Sequence, residues 1–542
     1  MAGGEPLWRQ RRRQDWAALR GGGFDVVVIG GGITGAGIAW QAALHGFSTL
    51  LVEERDWAGG TSSRSSKLVH GGLRYLPHGE VRLVREVGHE REVLERLWPH
   101  LVRPLPFLIP VYRRRGMPLW ALGAGVWLYD HLTGVEPRHR RRMLGPEGVL
   151  ALEGGLAAED LAGGVRYFEA RTDDARLVYT VVEAARAAGA VALSRVRAGR
   201  LDLTPKGGRV DLEDRETGDT VTVRTRAAIN AAGPWTGEVD PEGTEVVLGR
   251  GCHLVFPHHR LPLRHAVALP APDGGNTFAV PRGAVTYLGT TDRLYTGNPE
   301  LPEVPDEDVR YLFQVARAAF PAAGLGPRDL LAVYAGVRPL VAQEGKADTR
   351  ELSRQRSIEV RRDGLISVRG GKLTGFRSVA ADTLRHLAEA GLRPPRGRAE
   401  EGVAAFSPER AAADLVREYS VTGLVAAEII GRHGPSAGEL MRYAAGRPDG
   451  LEPVAPGAPL LWGEIDYLAE REDVFTLADL LIRRSALLWF GGLSEPGEVL
   501  WPVADRVAPI LGWTPEEVEG QLEGCRREAH LDRLEELRRL SL

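Results

Sequence analysis

Residues 24–53 read FDVVVIGGGITGAGIAWQAALHGFSTLLVE. An apolar run, a glycine turn, a small-residue helical stretch and a second apolar run ending on an acid follow one another. That order predicts a βαβ unit. Residues 82–98 carry helical apolar spacing and stop at Pro99, and Pro104, Pro106 and Pro110 punctuate an extended segment beyond. Residues 176–188 are again helical, residues 191–196 and 227–232 read as strands, and short β-like runs between about 248 and 340 surround one helical stretch at 306–320. A last apolar strand at 365–369 leads through Gly370 and Gly371 into a helix from 373 to about 387. From Ser407 onward the pattern is helical, with Thr476 to Asp479 and Thr514 to Glu517 as capped helix starts.

These elements predict an α/β, Rossmann-like nucleotide-binding domain interleaved with a mainly antiparallel-sheet domain, and then an all-α C-terminal domain. The expected boundaries are an N-terminal arm at 1–23, the interleaved pair at 24–395, and the helical domain at 396–542. The inserted sheet takes up approximately 80–160 and 248–340.

At 542 residues the chain can hold two or three cores. A formal charge of -3 gives no global signal for nucleic acid. With Cys252 and Cys525 as the only cysteines, neither a disulfide framework nor a clustered cysteine metal site is expected, and a cytoplasmic setting is. The basic N-terminus lacks the apolar core of a signal peptide and reads as a helical arm. The longest apolar run, 117–129, falls short of the ~20 residues needed to span a bilayer. Arg113, Arg114 and Arg115 before it and Arg138, Arg140, Arg141 and Arg142 after it suit a segment lying on an anionic leaflet, and equally a core helix with solvated ends. Positive charge is almost all arginine; Lys67, Lys206, Lys346 and Lys372 are the lysines, two of them inside glycine- and serine-rich motifs.

The chemistry starts at the glycine turn. Gly30, Gly32 and Gly35 have GxGxxG spacing, which allows a tight turn, close approach of backbone to a pyrophosphate, and close helix–sheet packing. Glu53 ends the second strand where a carboxylate can accept from ribose hydroxyls, with Glu54 as the fallback. Residues 60–76, GTSSRSSKLVHGGLRYL, are too long and polar for a tight connection and read as a ligand-wrapping loop. The second glycine turn, at Gly370 and Gly371, offers another positive helix terminus, which suits the electron-rich end of a flavin.

With TSSRSSKLVHGGLRYL, GTTD, YAGVRPL and GGKLTGFR in order, the chain resembles the FAD-dependent sn-glycerol-3-phosphate dehydrogenases of the aerobic respiratory type. The match runs from about Phe24 through the C-terminal domain, supported by RTDDARL, INAAGPW and VFTLADLLIRRSALL. The resemblance implies FAD as cofactor, oxidation of sn-glycerol 3-phosphate to dihydroxyacetone phosphate by hydride transfer to flavin N5, and electrons passed to a membrane quinone. It implies a protein attached peripherally to the inner face of the cell membrane. By motif, His253, Arg338 and Lys372 are the catalytic candidates, and Arg74, Tyr75 and Arg354 join them as substrate contacts. His253 has a suitable ordinary pKa to accept the hydroxyl proton, and arginine forks suit a phosphate. Expected FAD contacts are Gly30, Gly32, Gly35, Glu53, Thr61, Ser62, Ser63, Ser66, Lys67, Val196, Gly233, Gly371, Lys372, Leu373 and Thr374, with Ser65 in the same loop. Thr290 and Thr291 either line the site or pair strands, Asp173 and Asp174 read as a helix cap, and Cys252 reads as inert packing.

The rival with the same fold and pocket is a glycerol-3-phosphate oxidase that reduces oxygen to hydrogen peroxide. An amine-oxidising relative and a flavin-binding protein without turnover are the more distant rivals. No metal and no nucleic acid are expected, and oligomeric state stays open, a homodimer included.

Overall fold

The computed structural model describes residues 5–73, 76, 79–114, 117–271, 275–342, 356–395 and 406–540. Two sheets and a helical domain organise them. The first sheet runs in the order Ser357–Val360, Leu365–Arg369, Thr220–Asn230, Gly23–Ile29, Thr49–Glu53, Val191–Ser194. From Leu365–Arg369 to Val191–Ser194 neighbours are parallel, and Ser357–Val360 is an antiparallel edge. Such strands must be apolar on both faces, and Val26, Val27, Val28, Leu50 and Leu51 are fully buried. Helices Ile33–Leu44, Asp174–Ala187 and Phe376–Glu389 cover one face of the sheet. The hairpin Val196–Thr204/Gly207–Asp214 and Trp16 of the N-terminal helix Leu7–Ala18 close the other.

The second sheet, ten-stranded, runs Arg293–Tyr295, Val246–Pro257, Val285–Gly289, Asn276–Arg282, Ala266–Pro270, Arg103–Tyr112, Leu161–Arg171, Leu68–Val69. Ala332–Val341 and Arg142–Leu144 attach beside this path. All pairings are antiparallel except Ala266–Pro270 on Arg103–Tyr112, the seam between the two chain segments that build it. The sheet also takes in Leu68–Val69 and Leu161–Arg171, which lie outside the two segments expected for it. The helix of the longest apolar run, Leu119–Leu132, covers this sheet with Val126 and Tyr129 and turns Trp120 and Trp127 outward.

From Pro408 the described chain is helical. Thr514 caps helix Pro515–Glu528 with a reciprocal box to Glu517. Thr476 and Asp479 also bond reciprocally, but they open a single wide turn, Asp479–Arg484, in place of a long α-helix. The helical domain is fastened to the nucleotide fold by buried ion pairs. Arg176 meets Glu472, Arg186 and Arg11 meet Asp473, Arg195 meets Asp479, and Arg483 and Arg484 meet Asp56. Trp57 donates its indole N–H to Asp473 at 2.6 Å. Trp8 of the N-terminal helix, fully buried, donates to the Ala469 carbonyl at 2.9 Å, so this helix bridges both domains.

Candidate active site

In the first glycine turn, Gly30 and Gly35 are crowded by backbone. Gly30 sits at φ +114, and a Cβ on Gly35 would lie 1.9 Å from the Gly30 carbonyl oxygen. Gly31, outside the GxGxxG positions, is equally constrained, because a Cβ there would meet the Trp57 ring at 2.6 Å and the Glu53 Cβ at 2.7 Å. Glu53 accepts the Gly31 N–H at 2.6 Å and the Arg55 N–H at 2.8 Å. Burial raises its pKa, and these two N–H groups pull it back. Carboxylate oxygens have about four lone-pair sites, so ribose hydroxyls can still be accepted. Ser62 Oγ takes one of the free N–H groups of helix Ile33–Leu44, that of Ile33, at 3.1 Å. The other N-terminal N–H groups remain for a pyrophosphate.

This turn opens into a cavity of about 1910 Å³. Gly30, Gly32, Glu53, Thr61, Ser62, Val196, Gly233, Gly371, Leu373 and Thr374 are on its wall, together with Ser66, His253, Arg338 and Lys372. Residues as far apart in sequence as Gly30 and Thr374 thus share one space, which is roughly twice the ~1,000 Å³ upper end of ordinary ligand pockets. A dinucleotide beside a small substrate suits that size. The donor set fits FAD: a glycine cradle without side chains for the pyrophosphate, Glu53 for the ribose, and the second glycine turn with Gly371 at φ +94 for the flavin end.

Ser63 and Lys67, expected at the cofactor, turn inward. The Lys67 ammonium pairs with Asp174 and donates to the Ser63 carbonyl at 2.6 Å, all of it buried. A lysine taken out of water requires such a counter-charge, and Asp174, fully buried, also accepts the Ser65 N–H and hydroxyl. Asp173 caps helix Asp174–Ala187 by accepting the Arg176 N–H. Ser63, Lys67, Asp173 and Asp174 serve the loop and its helix, while Ser65 stands on the cavity wall.

His253 lies on strand Val246–Pro257, between Gly289 on one neighbouring strand and Tyr334 on the other. Its Nε2 is 3.0 Å from Ser66 Oγ. Its Nδ1 is sealed from solvent and meets no partner among the described residues. Burial first, then the charges of Arg338 and Lys67, hold the imidazole pKa well below its ordinary value. At neutral pH His253 is therefore an uncharged ring. Arg338 reaches Asp292 at 3.3 Å on the cavity wall, and Lys372 precedes the turn Leu373–Gly375. Thr290 faces the cavity, while Thr291 accepts the Cys252 N–H and so serves the strands. Burial and Asp308 raise the Cys252 thiol, which is inert packing. Arg74, Tyr75 and Arg354 lie outside the described residues.

Some neighbours have no sequence signal. Asp292 opposite Arg338 and Ser66 against His253 depend on strand register. The Arg91–Glu169–Tyr129 cluster, with Glu169 accepting the Gly71 N–H at 2.8 Å, is assembled from four separate elements. A close approach at Gly71, where a Cβ would meet Tyr129 Oη at 2.1 Å, is its one trace in composition.

Known proteins resemble the chain in both parts. The family model for FAD dependent oxidoreductases matches residues 25–390, and that for the C-terminal domain of alpha-glycerophosphate oxidase matches 401–518. The aerobic glycerol-3-phosphate dehydrogenase of Staphylococcus saprophyticus is 34% identical over 533 residues, 94% of this chain and 95% of that protein. Its counterpart in Staphylococcus haemolyticus is 35% identical over 518 residues, 91% of each. Among solved structures, the glycerol-3-phosphate dehydrogenase of Bacillus halodurans complexed with FAD superposes with a TM-score of 0.78 at 30% identity, covering 96% of this chain and 97% of that one. The L-alpha-glycerophosphate oxidase of Mycoplasma pneumoniae shares the fold, with a TM-score of 0.53 at 17% identity over 67% of this chain and 94% of that one.

Proposed function

We propose a reaction from one premise: the chain belongs to the FAD-dependent oxidoreductases, and among them to the family of the aerobic glycerol-3-phosphate dehydrogenases. FAD is its cofactor. The reaction is oxidation of sn-glycerol 3-phosphate to dihydroxyacetone phosphate, with electrons delivered to a membrane quinone. The observation that carries it is the convergence of a neutral imidazole, His253, and two cations, Arg338 and Lys372, on the wall of the cavity that the glycine cradle opens into.

When bound, FAD supplies the hydride acceptor at N5. His253 takes the hydroxyl proton at Nε2, the nitrogen that has a polar neighbour at the cavity wall. Because its pKa is depressed, it is unprotonated and ready to accept across the neutral range. Arg338 binds the phosphate with its planar fork, exchanging the contact to Asp292 for a dianion. Lys372 adds positive charge where an alkoxide develops. Arg74, Tyr75 and Arg354 belong to the same reading as substrate contacts.

Quinone as acceptor and a peripheral place on the membrane rest on the outer face of helix Leu119–Leu132. Trp120 is 76% exposed and Trp127 47%, with Met117, Leu128 and Met143 also exposed, and Arg113, Arg114, Arg138, Arg140 and Arg142 flank them. Aromatic and basic side chains together suit the interface of an anionic leaflet. No helix among the described residues is long and apolar enough to cross a membrane.

The test is anaerobic bleaching of the flavin by sn-glycerol 3-phosphate, then reoxidation by a quinone analogue or by oxygen. Fast bleaching with quinone-dominated reoxidation is expected. Fast peroxide-forming reoxidation by oxygen would assign an oxidase instead, and absence of bleaching would overturn the substrate.

A further inference from the structure

The wall that carries His253 continues as a column of rings into the C-terminal domain. His253 and Tyr334 are cross-strand partners, and imidazole and phenol stack with centroids 4.5 Å apart and planes within 7°. Trp489, on the short helix Leu487–Phe490, stacks in turn on Tyr334 at 4.9 Å and 20°. Phe490 meets the edges of the column, 5.8 Å from Tyr334 and 5.5 Å from Tyr287. The ammonium of Lys67, held by Asp174, lies 5.7 Å from the Trp489 ring and 6.0 Å from that of Tyr334. Gly289 has no side chain opposite the imidazole, and a Cβ there would meet His253 Cδ2 at 2.2 Å. The hydroxyls of Tyr287 and Tyr334 donate to the Ser66 and Ser65 carbonyls, at 2.8 and 3.3 Å, and so tie the column to the loop that presents Ser66 to His253.

We infer that Trp489 is a positioning residue for His253: acting through Tyr334, it fixes the plane of the imidazole against Ser66 and excludes water from the ring. The inference rests on the reading that His253 takes the substrate's proton. Two features of Trp489 distinguish it from ordinary packing. Its indole N–H is buried and meets no acceptor among the described residues, a destabilising arrangement that phenylalanine or leucine would avoid. What the site uses is therefore the face of the ring. Its helix is entered through Ala486 at φ +55, a left-handed conformation that a non-glycine residue adopts at a cost. Strain and an unmet donor are both retained at the segment that delivers one ring to Tyr334.

The charged and titratable groups around His253 and this column are Arg338 with Asp292, Lys67 with Asp174, Arg282 with Asp173, Arg171 near Tyr287, Lys372 on the cavity wall, and the two tyrosines. Changing Trp489 removes none of these groups, though it takes one aromatic face from the Lys67 ammonium, 5.7 Å away, and the ring stacked on Tyr334. A shift in the pH profile of a Trp489 variant thus reports the environment of the imidazole.

The experiment compares Trp489→Leu and Trp489→Phe as full-length holoenzymes. It records anaerobic flavin bleaching by sn-glycerol 3-phosphate against substrate concentration and pH, normalised to bound FAD. Trp489→Leu is expected to slow limiting bleaching by about tenfold or more, since a misplaced catalytic group carries a penalty of that order. Half-saturation should change by no more than about twofold, because phosphate binding is elsewhere. The apparent pKa of bleaching should rise toward that of an ordinary imidazole as water reaches the ring. Trp489→Phe should recover most of the rate and be no less heat-stable than the parent. Should Trp489→Leu fail to retain FAD, Tyr334→Leu against Tyr334→Phe poses the same question one ring closer. A per-FAD rate and pH profile unchanged in Trp489→Leu, with only a lower melting temperature, would overturn the inference and leave a structural role. If His253→Ala bleaches as fast as the parent, the reading of His253 fails and this inference with it. A slow His253→Ala beside an unaffected Trp489→Leu overturns the inference alone.

Discussion

Arg484 and Asp56 face each other through two parallel hydrogen bonds, at 2.9 and 2.7 Å, with both side chains almost fully sealed from solvent. Arg483 adds a third bond to the same carboxylate at 2.5 Å. Asp56 follows Glu53, whose carboxylate accepts the Gly31 N–H, by three residues, and Trp57, next in the chain, packs against Gly31. The C-terminal domain thus holds the back of the nucleotide cradle. Removing one partner of a buried pair strands the other charge, at a cost of roughly 3–5 kcal/mol. Asp56→Ala is expected to lower the melting temperature and release FAD, with Asp56→Asn in between. Thermal unfolding followed by flavin fluorescence checks it, and an unchanged midpoint with full FAD retention would contradict the role given to this pair.

Gly35→Ala should yield protein without FAD. The added methyl would collide with a backbone carbonyl 1.9 Å away, where no rotamer change can relieve it. The helix would have to move off the strand and take the pyrophosphate-binding N–H groups with it. Flavin absorbance per protein after gel filtration is the measurement. Retention of flavin at the parental ratio would mean that the turn is softer than its geometry implies.

What could be read from the chain follows from how local each signal is. Gly30, Gly32, Gly35 and Glu53 lie within one supersecondary unit, so their spacing alone carries their geometry. The capping box at Thr514 is as local. Lys67 shows where such reading stops: its loop motif suggested the cofactor, but a partner 107 residues away, Asp174, takes its ammonium into the interior. Ser66 stands on the cavity wall, and its hydroxyl bond to an imidazole 187 residues away is a contact that no local pattern carries. Tyr334 opens the YAGVRPL motif, but its stacking on His253 and Trp489 carries no signal, because a stack across two strands and a domain boundary leaves no periodicity in sequence. The apolar run at 117–129 suits a core helix and equally a segment lying on an anionic leaflet; helix Leu119–Leu132 buries Val126 and Tyr129 and exposes Trp120 and Trp127. Roles for His253, Arg338 and Lys372 came from resemblance to a family, not from pattern.

Acid should unfold the protein through carboxylates of the helical domain. Burial alone would raise Glu464, but Arg432 and His433 more than offset it and hold its pKa at about 2. Asp473 is likewise held far below the usual carboxylate range, by Arg186 and Arg11 against burial. With folded values below the unfolded ~4, these groups contribute stability at neutral pH that is lost as pH falls from ~4 toward the folded pKa values. For Glu464 that amounts to roughly 3 kcal/mol. Glu464→Gln should be less stable at pH 7 and should show a shallower decline below about pH 4. Denaturant titrations across that range check the slope, and parallel curves for parent and variant would rule Glu464 out as a main contributor.

Gly125 lies on the cavity wall within helix Leu119–Leu132, and a Cβ there would meet nothing within 4 Å. Glycine inside a helix costs about 1 kcal/mol relative to alanine, and no neighbour demands it here. The room it leaves adjoins a cavity whose wall includes the apolar side chains Phe107, Ile109, Leu122 and Phe278, and the same helix exposes Trp120 and Trp127. If electrons leave the flavin for a quinone dissolved in lipid, this apolar part of the wall is the way in to test. Gly125→Trp should fill it, slowing reoxidation by a long-chain quinone in vesicles by about tenfold or more, equivalent to ~1.4 kcal/mol. Bleaching by sn-glycerol 3-phosphate and reoxidation by ferricyanide should stay within about twofold of the parent, since neither passes through lipid. Equal slowing of all three steps would mean that the indole presses on the substrate site. An undiminished quinone rate would close this part of the wall as the route and send the search for the acceptor to another face of the protein.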